Sequence, residues 1–417
     1  MQKILEIKKL LTNNLKVIEN YFFMTIIQVI GSLIGIIIYP YLIRSLGSES
    51  YGLYIFALSI VSYFLKIVSF GFSLPAIKAI SQNVDNKEFN SKVVSSVISA
   101  KAYLSIISTI VFFVSIYFIP FLNQNILIYC ICFTQIISEV FFPFWYYQAM
   151  QKMRIIAFLQ LGIRILSLPF IFIFVKFTND IFIYAIIGTL SNIIVAMLSI
   201  VHLTKKENIK ICFVPIKQLK TYFKDALPFF WSSSASTIKT ESITTIIGIY
   251  FSMVDVAQWD LANKILQLPR IIASSINEAI FPKMIKDTKK SVVKQIIKYE
   301  FFLGLGIFII IAITGHWLVL LLGGEAMSGA YPLTVIFSLT ILQGLIIGCY
   351  YSFVFIPNYK YYFITKNQVL SFFSFFVLCI SGILLFNNIF IVVAALVLSG
   401  TCEIAYCNYL IKKYKLA

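Results

Sequence analysis

YFFMTIIQVIGSLIGIIIYPYLI, residues 21–43, is an uncharged and almost wholly apolar run of 23 residues. A helix rises about 1.5 Å per residue, so roughly 20 such residues cross the hydrocarbon core of a bilayer. The run is too long for the apolar core of a signal peptide and has no small-x-small cleavage site, so it is expected to be the first span. Ahead of it, Ile4, Leu5, Leu10 and Leu11 interleave with Lys3, Lys8 and Lys9, the pattern of a short amphipathic helix lying on a membrane face. Working outward, runs of this kind recur at roughly 20–43, 51–74, 93–119, 124–148, 155–176, 181–203, 226–251, 256–281, 300–322, 331–356, 368–386 and 390–411. Twelve runs predict an all-α polytopic membrane protein with twelve transmembrane helices.

Composition agrees. Of 417 residues, 60% are hydrophobic and only 12% charged, with a mean hydropathy of +0.91. Soluble domains carry about 25% charged residues, so an ordinary soluble enzyme is excluded. The net charge of +17 is not a nucleic-acid footprint, because no single patch collects it. With the N-terminus placed inside, the inside segments hold 26 Lys and Arg and the outside segments only Arg44 and Lys176. Basic residues in short loops set orientation, so both termini are expected to be cytoplasmic. The inside residues sit beside anionic lipid headgroups, and membrane lipid is therefore an expected partner. The seven cysteines fall mostly inside apolar runs and act as small apolar residues.

The segment 204–224, KKENIKICFVPIKQLKTYFKD, reads as a linker between two six-helix halves, 1–222 and 223–417. Gly52-Leu-Tyr-Ile-Phe-Ala57 opens the second run, and Ala257-Gln-Trp-Asp-Leu-Ala262 opens the eighth, 205 residues later. Such a repeat in equivalent positions implies two like-oriented halves.

Eleven ionisable residues lie inside the runs: Lys66, Lys101, Arg164, Lys239, Lys264 and Arg270, with Glu139, Glu241, Asp260, Glu278 and Glu403. Each costs about 3 kcal/mol at a lipid-facing helix centre, on the order of 30 kcal/mol together. They must face one another or a wet interior. In the eighth run Asp260, Lys264, Gln267, Arg270, Ser274 and Glu278 follow at helical steps and form one polar stripe. Asp260 and Lys264, one turn apart, also suit a plain structural ion pair. The first half carries Lys66, Lys101 and Arg164 against Glu139 alone, a cationic excess that fits an anionic, hydrated solute. Gly31-x-x-x-Gly35 is expected to serve helix packing. His202 and His316 have no candidate nucleophile beside them, and no phosphate-binding glycine loop is present. No enzyme activity, metal or cofactor is implied.

Arg44-Ser-Leu-Gly-Ser-Glu-Ser-Tyr-Gly-Leu-Tyr54 resembles the signature of the Wzx-type polysaccharide-unit (O-antigen) flippases, of the superfamily that includes the multidrug and toxic-compound extruders. Trp145-Tyr-Tyr-Gln-Ala-Met-Gln-Lys-Met153 resembles a second family segment, and Leu227-Pro228-Phe229 and Leu322-Gly323 fit as well. Ala257-x-Trp259 stands where relatives often have Gly-x-Tyr, and Ala149 where they often have Gly. The resemblance covers essentially the whole chain. It implies a multi-pass protein of the bacterial inner membrane that flips a polyprenyl-diphosphate-linked oligosaccharide from the cytoplasmic to the periplasmic leaflet by ion-coupled alternating access. A polymerase and chain-length proteins of the same pathway are the protein partners it implies. On that reading Lys66, Lys101, Arg164, Lys264 and Arg270 attract the diphosphate or acidic sugars. Glu139, Asp260 and Glu278 are the candidates for a coupling proton or sodium ion.

Three alternatives share parts of this pattern. A multidrug-extruder-type antiporter would favour an acidic lumen, opposite to the first half. A polysaccharide polymerase or membrane glycosyltransferase would carry a large outside loop, whereas the longest here, residues 323–330, is too short for a folded element. A membrane scaffold would leave the charged stripes unexplained.

Overall fold

The computed structural model describes residues 2–284, 290–414 and 416. Among the described residues the chain is helical, with no strand. The first half by sequence holds α1 (Gln2–Ser69), α2 (Ser73–Ser81), α3 (Lys87–Phe118), α4 (Pro120–Asn123), α5 (Ile126–Phe133), α6 (Gln135–Phe141), α7 (Phe144–Ala149), α8 (Met153–Phe174) and α9 (Ile181–Lys205). The remainder holds α10 (Lys220–Tyr250), α11 (Met253–Met284), α12 (Lys290–Gly323), α13 (Ala330–Cys349), α14 (Tyr361–Phe386) and α15 (Ile389–Tyr414), with a π-helical turn at Tyr350–Phe355.

Nine helical stretches among the described residues are long and apolar enough to cross a membrane, and the protein is a multi-pass membrane protein. The difference from twelve has a physical origin. The first stretch, Glu19–Ser69, is 51 residues long and holds the first two apolar runs. Its helical dihedrals fail only at Gly47, at φ 75° and ψ 160°, a conformation that glycine adopts without a Cβ penalty. Helices α10 and α11 are 31 and 32 residues long and correspond to the seventh and eighth runs. Their Lys, Glu, Asp and Arg residues keep them below the apolarity of the other nine.

The fourth run is broken. Thr134 separates α5 from α6, and Phe142 is extended before Pro143, as the ring of a following proline demands. Helix α11 starts on a reciprocal cap. Ser252 Oγ accepts from the Asp255 amide at 3.2 Å, and the Asp255 carboxylate accepts from the Ser252 amide at 3.0 Å.

The chain forms two compact units, Met1–Gly31 with Ala57–Thr237, and Ser32–Phe56 with Ile238–Ala417. The compact units divide within α10, after Thr237, and the stretch 32–56 of α1 clusters with the second. In the first unit α9 packs on α5, α6 and α8, and α3 packs on α2 and α6. In the second, α13 packs on α11, α12 and α15, and α14 pairs with α15.

The linker is strapped to α3. The amides of Lys210, Cys212 and Val214 donate to the hydroxyls of Ser91, Ser95 and Ser99 at 3.1, 3.0 and 2.9 Å. Four helical residues advance about 6 Å, and two extended residues about 6.6 Å. Serines spaced by four therefore meet alternate amides of the linker, in register over three rungs.

Candidate functional site: paired and unpaired charges in the helices

Among the described residues, the cations expected in the spans divide into those in ion pairs and those with no carboxylate within 4 Å. Lys101 of α3 is buried, with 4% of its side chain exposed, and donates from Nζ to the Glu139 carboxylate at 2.7 Å and to the Glu139 carbonyl at 2.9 Å. One expected anion-binding residue and one expected coupling residue are thus a single ion pair. Burial makes such a pair interdependent, because either partner alone would be an uncompensated charge in a low dielectric.

In the second unit Lys264 Nζ donates to Asp260 Oδ2 at 2.6 Å, one helical turn away on α11. The same oxygen accepts from the Tyr51 hydroxyl at 2.7 Å. Tyr51 and Tyr39 are buried and meet edge to face, with ring centroids 5.3 Å apart. The Lys264 ammonium lies 5.7 and 5.8 Å from those two rings, and the Tyr39 hydroxyl donates to the Ala257 carbonyl at 3.2 Å. The backbone closes in as well. A Cβ on Gly52 would fall 1.8 Å from the Met253 carbonyl oxygen, closer than any side chain permits. The residues that carry the first signature segment therefore form a clasp on the start of α11, centred on Asp260.

Three expected cations lack a carboxylate within 4 Å among the described residues: Lys66, Arg164 and Arg270. Lys66 is half-buried and Arg164 exposed. Arg164 fills the space above Gly31, where an added Cβ would meet its Nη1 at 2.7 Å, while Gly35 faces open space. The Gly31-x-x-x-Gly35 pair is thus no helix-packing notch; its first member accommodates a guanidinium. The Arg270 guanidinium lies over the Phe337 ring at 4.1 Å and donates from Nη1 to Asn263 at 2.8 Å. Its Nη2 is buried without a hydrogen-bond partner. An unpaired buried donor is costly. Glu278 belongs to α11, but its side chain lies outside the described residues.

Two groups escape the sequence reading. Glu300 is buried ten residues into α12 and accepts from Cys349 Sγ at 2.7 Å. The lysine-rich stretch before it resembles a loop, although Lys290, Lys294 and Lys298 recur every fourth residue, the one available helical signal. Lys239 and Glu403, which the sequence leaves unpartnered 164 positions apart, meet at 3.5 Å.

This arrangement belongs to a multi-pass helical membrane protein that carries charges inside its helices. The fold is similar to that of the lipid II flippase MurJ in an inward closed conformation, with a TM-score of 0.74 at 16% identity over 93% of this chain and 87% of that one. It is also similar to an inward-facing multidrug resistance MATE family transporter of the MOP superfamily, with a TM-score of 0.65 at 13% identity over 89% and 93% of the two chains. The chain belongs to the polysaccharide biosynthesis protein family, which matches residues 17–288. It is 25% identical over 274 residues to a protein of Escherichia coli (strain K12) named as an O-antigen transporter, covering 66% of each chain. A Shigella dysenteriae protein of the same name is 23% identical over 275 residues, covering 64% of this chain and 67% of that one. The chain thus spans about two thirds of the length of these relatives. The family is the one that the segments at Arg44–Tyr54 and Trp145–Met153 resemble.

Proposed function

We propose that this protein is a flippase, not an enzyme, that moves a polyprenyl-diphosphate-linked oligosaccharide unit across the bacterial inner membrane. The observation that carries the reading is a set of helix-borne cations with no carboxylate within 4 Å among the described residues, Lys66, Arg164 and Arg270, in a chain of the polysaccharide biosynthesis family. A diphosphate is acceptor-rich and doubly anionic. Arginine meets it with a planar fork of donors and lysine with a point charge, and the hydrated diphosphate and sugars do not cross hydrocarbon unaided. The polyprenyl tail needs no such escort.

The two ion pairs supply a rationale for coupling. A proton taken up on Glu139 or Asp260 removes the negative charge from Lys101 or Lys264 and leaves that ammonium free to attract phosphate. Its departure restores the pair and expels the anion. Glu278 is proposed for the same role by its place on the α11 stripe. Twelve spans, cytoplasmic termini, outward flipping by alternating access, and the pathway's polymerase and chain-length proteins as partners complete the proposal. The extruder alternative is disfavoured by the sign of the unpaired charges.

In cells lacking the native protein, Lys66→Ala, Arg164→Ala and Arg270→Ala at matched expression should each reduce surface polysaccharide. A charge-assisted hydrogen bond contributes about 1.5–3 kcal/mol, so a loss of roughly 10- to 100-fold is expected for each, with Lys66→Arg retaining much of the activity. Full complementation by all three alanine variants would remove the anion-binding proposal.

A further inference from the structure

The second unit holds a polar cluster that the flipping reading does not use. It lies among α10, α14, α15 and the π-helical turn. Lys239 of α10 donates from Nζ to Ser371 Oγ and stands 3.5 Å from Glu403 Oε1, with 19% and 14% of the two charged side chains exposed. One turn before Ser371, the fully buried Asn367 donates from Nδ2 to the Tyr351 hydroxyl at 3.0 Å and to Cys407 Sγ at 3.2 Å. Cys407 in turn lies one turn after Glu403. Two rungs, Ser371 with Glu403 and Asn367 with Cys407, thus join α14 to α15, the first through the Lys239 ammonium. The Asn367 Oδ1 is buried without a hydrogen-bond partner. The Phe375 ring centroid lies 6.0 Å from the ammonium.

The donor set is what matters. A carboxylate, a hydroxyl, a phenol and an orphaned amide oxygen are the hard oxygen ligands that small cations take. A pair held only for charge neutralisation closes up, as Lys101–Glu139 at 2.7 Å and Lys264–Asp260 at 2.6 Å do. Here the ammonium is shared and its carboxylate is 3.5 Å away. The π-helical turn that supplies Tyr351 is a backbone irregularity of the kind found often at functional sites.

We infer that this cluster is a binding site for a small monovalent cation, and that the chain fills it with the tethered ammonium of Lys239. A tethered cation cannot dissociate, so the site does not respond to sodium. The consequence for coupling, that no exchangeable sodium ion acts here, rests on the transport reading; the occupancy itself does not.

Cation-dependent stability of the purified full-length chain in detergent tests the inference without any transport assay. Thermal unfolding is followed in sodium, potassium and choline chloride at equal ionic strength. The native chain should show no sodium-specific shift. Lys239→Ala should gain a saturable rise of a few °C in sodium over choline, because a ligand that binds only the folded state raises its stability. The rise should vanish in Lys239→Ala with Glu403→Gln. Lys239→Met, which keeps the apolar stem, serves if the alanine variant does not fold. A sodium-specific rise in the native chain that Glu403→Gln abolishes would overturn the inference. So would a neutral Lys239 variant equally stable in all three salts.

Discussion

Glu139→Ala should be among the most damaging single substitutions in the first unit, and adding Lys101→Met should relieve much of the damage. Lys101 is 4% exposed and reaches its carboxylate from a different helix. Removing one partner of a buried ion pair destabilises by about 3–5 kcal/mol, since the survivor keeps its charge without its counter-charge. Glu139 is itself 31% exposed, so solvent screening brings the expected cost to the lower end of that range, about 3 kcal/mol. Replacing both by neutral groups removes the stranded charge. The measurement is a double-mutant cycle on the thermal midpoint of the full chain, where groups in contact show coupling of about 0.5–3 kcal/mol. Additive losses in the double variant would mean that the two residues do not depend on each other.

The second large effect is expected at Gly52. An added Cβ would lie 1.8 Å from a backbone oxygen, and backbone cannot swing aside as a flexible side chain can. Gly52→Ala must therefore lift the α1 stretch off the start of α11. That movement also stretches the 2.7 Å bond from Tyr51 to Asp260 and the 3.2 Å bond from Tyr39 to the Ala257 carbonyl. Overpacking alone costs about 1–3 kcal/mol, and a lost hydrogen bond to a charged group about 1.5–3 kcal/mol. Gly52→Ala should thus be worse than Tyr51→Phe, in both thermal midpoint and complementation. Equal behaviour of Gly52→Ala and the native chain would show that the clasp does not close as described.

The sequence made the helices legible wherever burial and composition agree. Nine stretches among the described residues are apolar enough to declare themselves, and Gly47 marks the break between the first two runs. Periodicity also placed Asp260 and Lys264 together, because residues four apart on a helix are neighbours by construction. Tyr51 lies 209 positions from Asp260, so the partner of its hydroxyl comes from packing and has no local signal. The same holds for Lys239 and Glu403. Counting charges in the first half yields three bases against one acid, and the structure shows what counting cannot: the acid pairs with Lys101, and among the described residues Lys66 and Arg164 have no carboxylate within 4 Å. Glu300 was lost because lysines before a helix look like a loop until the helix they open is seen.

The most direct test is reconstitution. The purified chain is placed in liposomes that contain a polyprenyl-diphosphate-linked oligosaccharide, and a glycosidase confined to one side reports how fast the sugar arrives there from the opposite leaflet. The account predicts protein-dependent arrival that slows in a variant combining Lys66→Ala, Arg164→Ala and Arg270→Ala by more than the roughly 10- to 100-fold expected for any one of them. Arrival no faster than in protein-free liposomes, with the chain folded and correctly inserted, would contradict it.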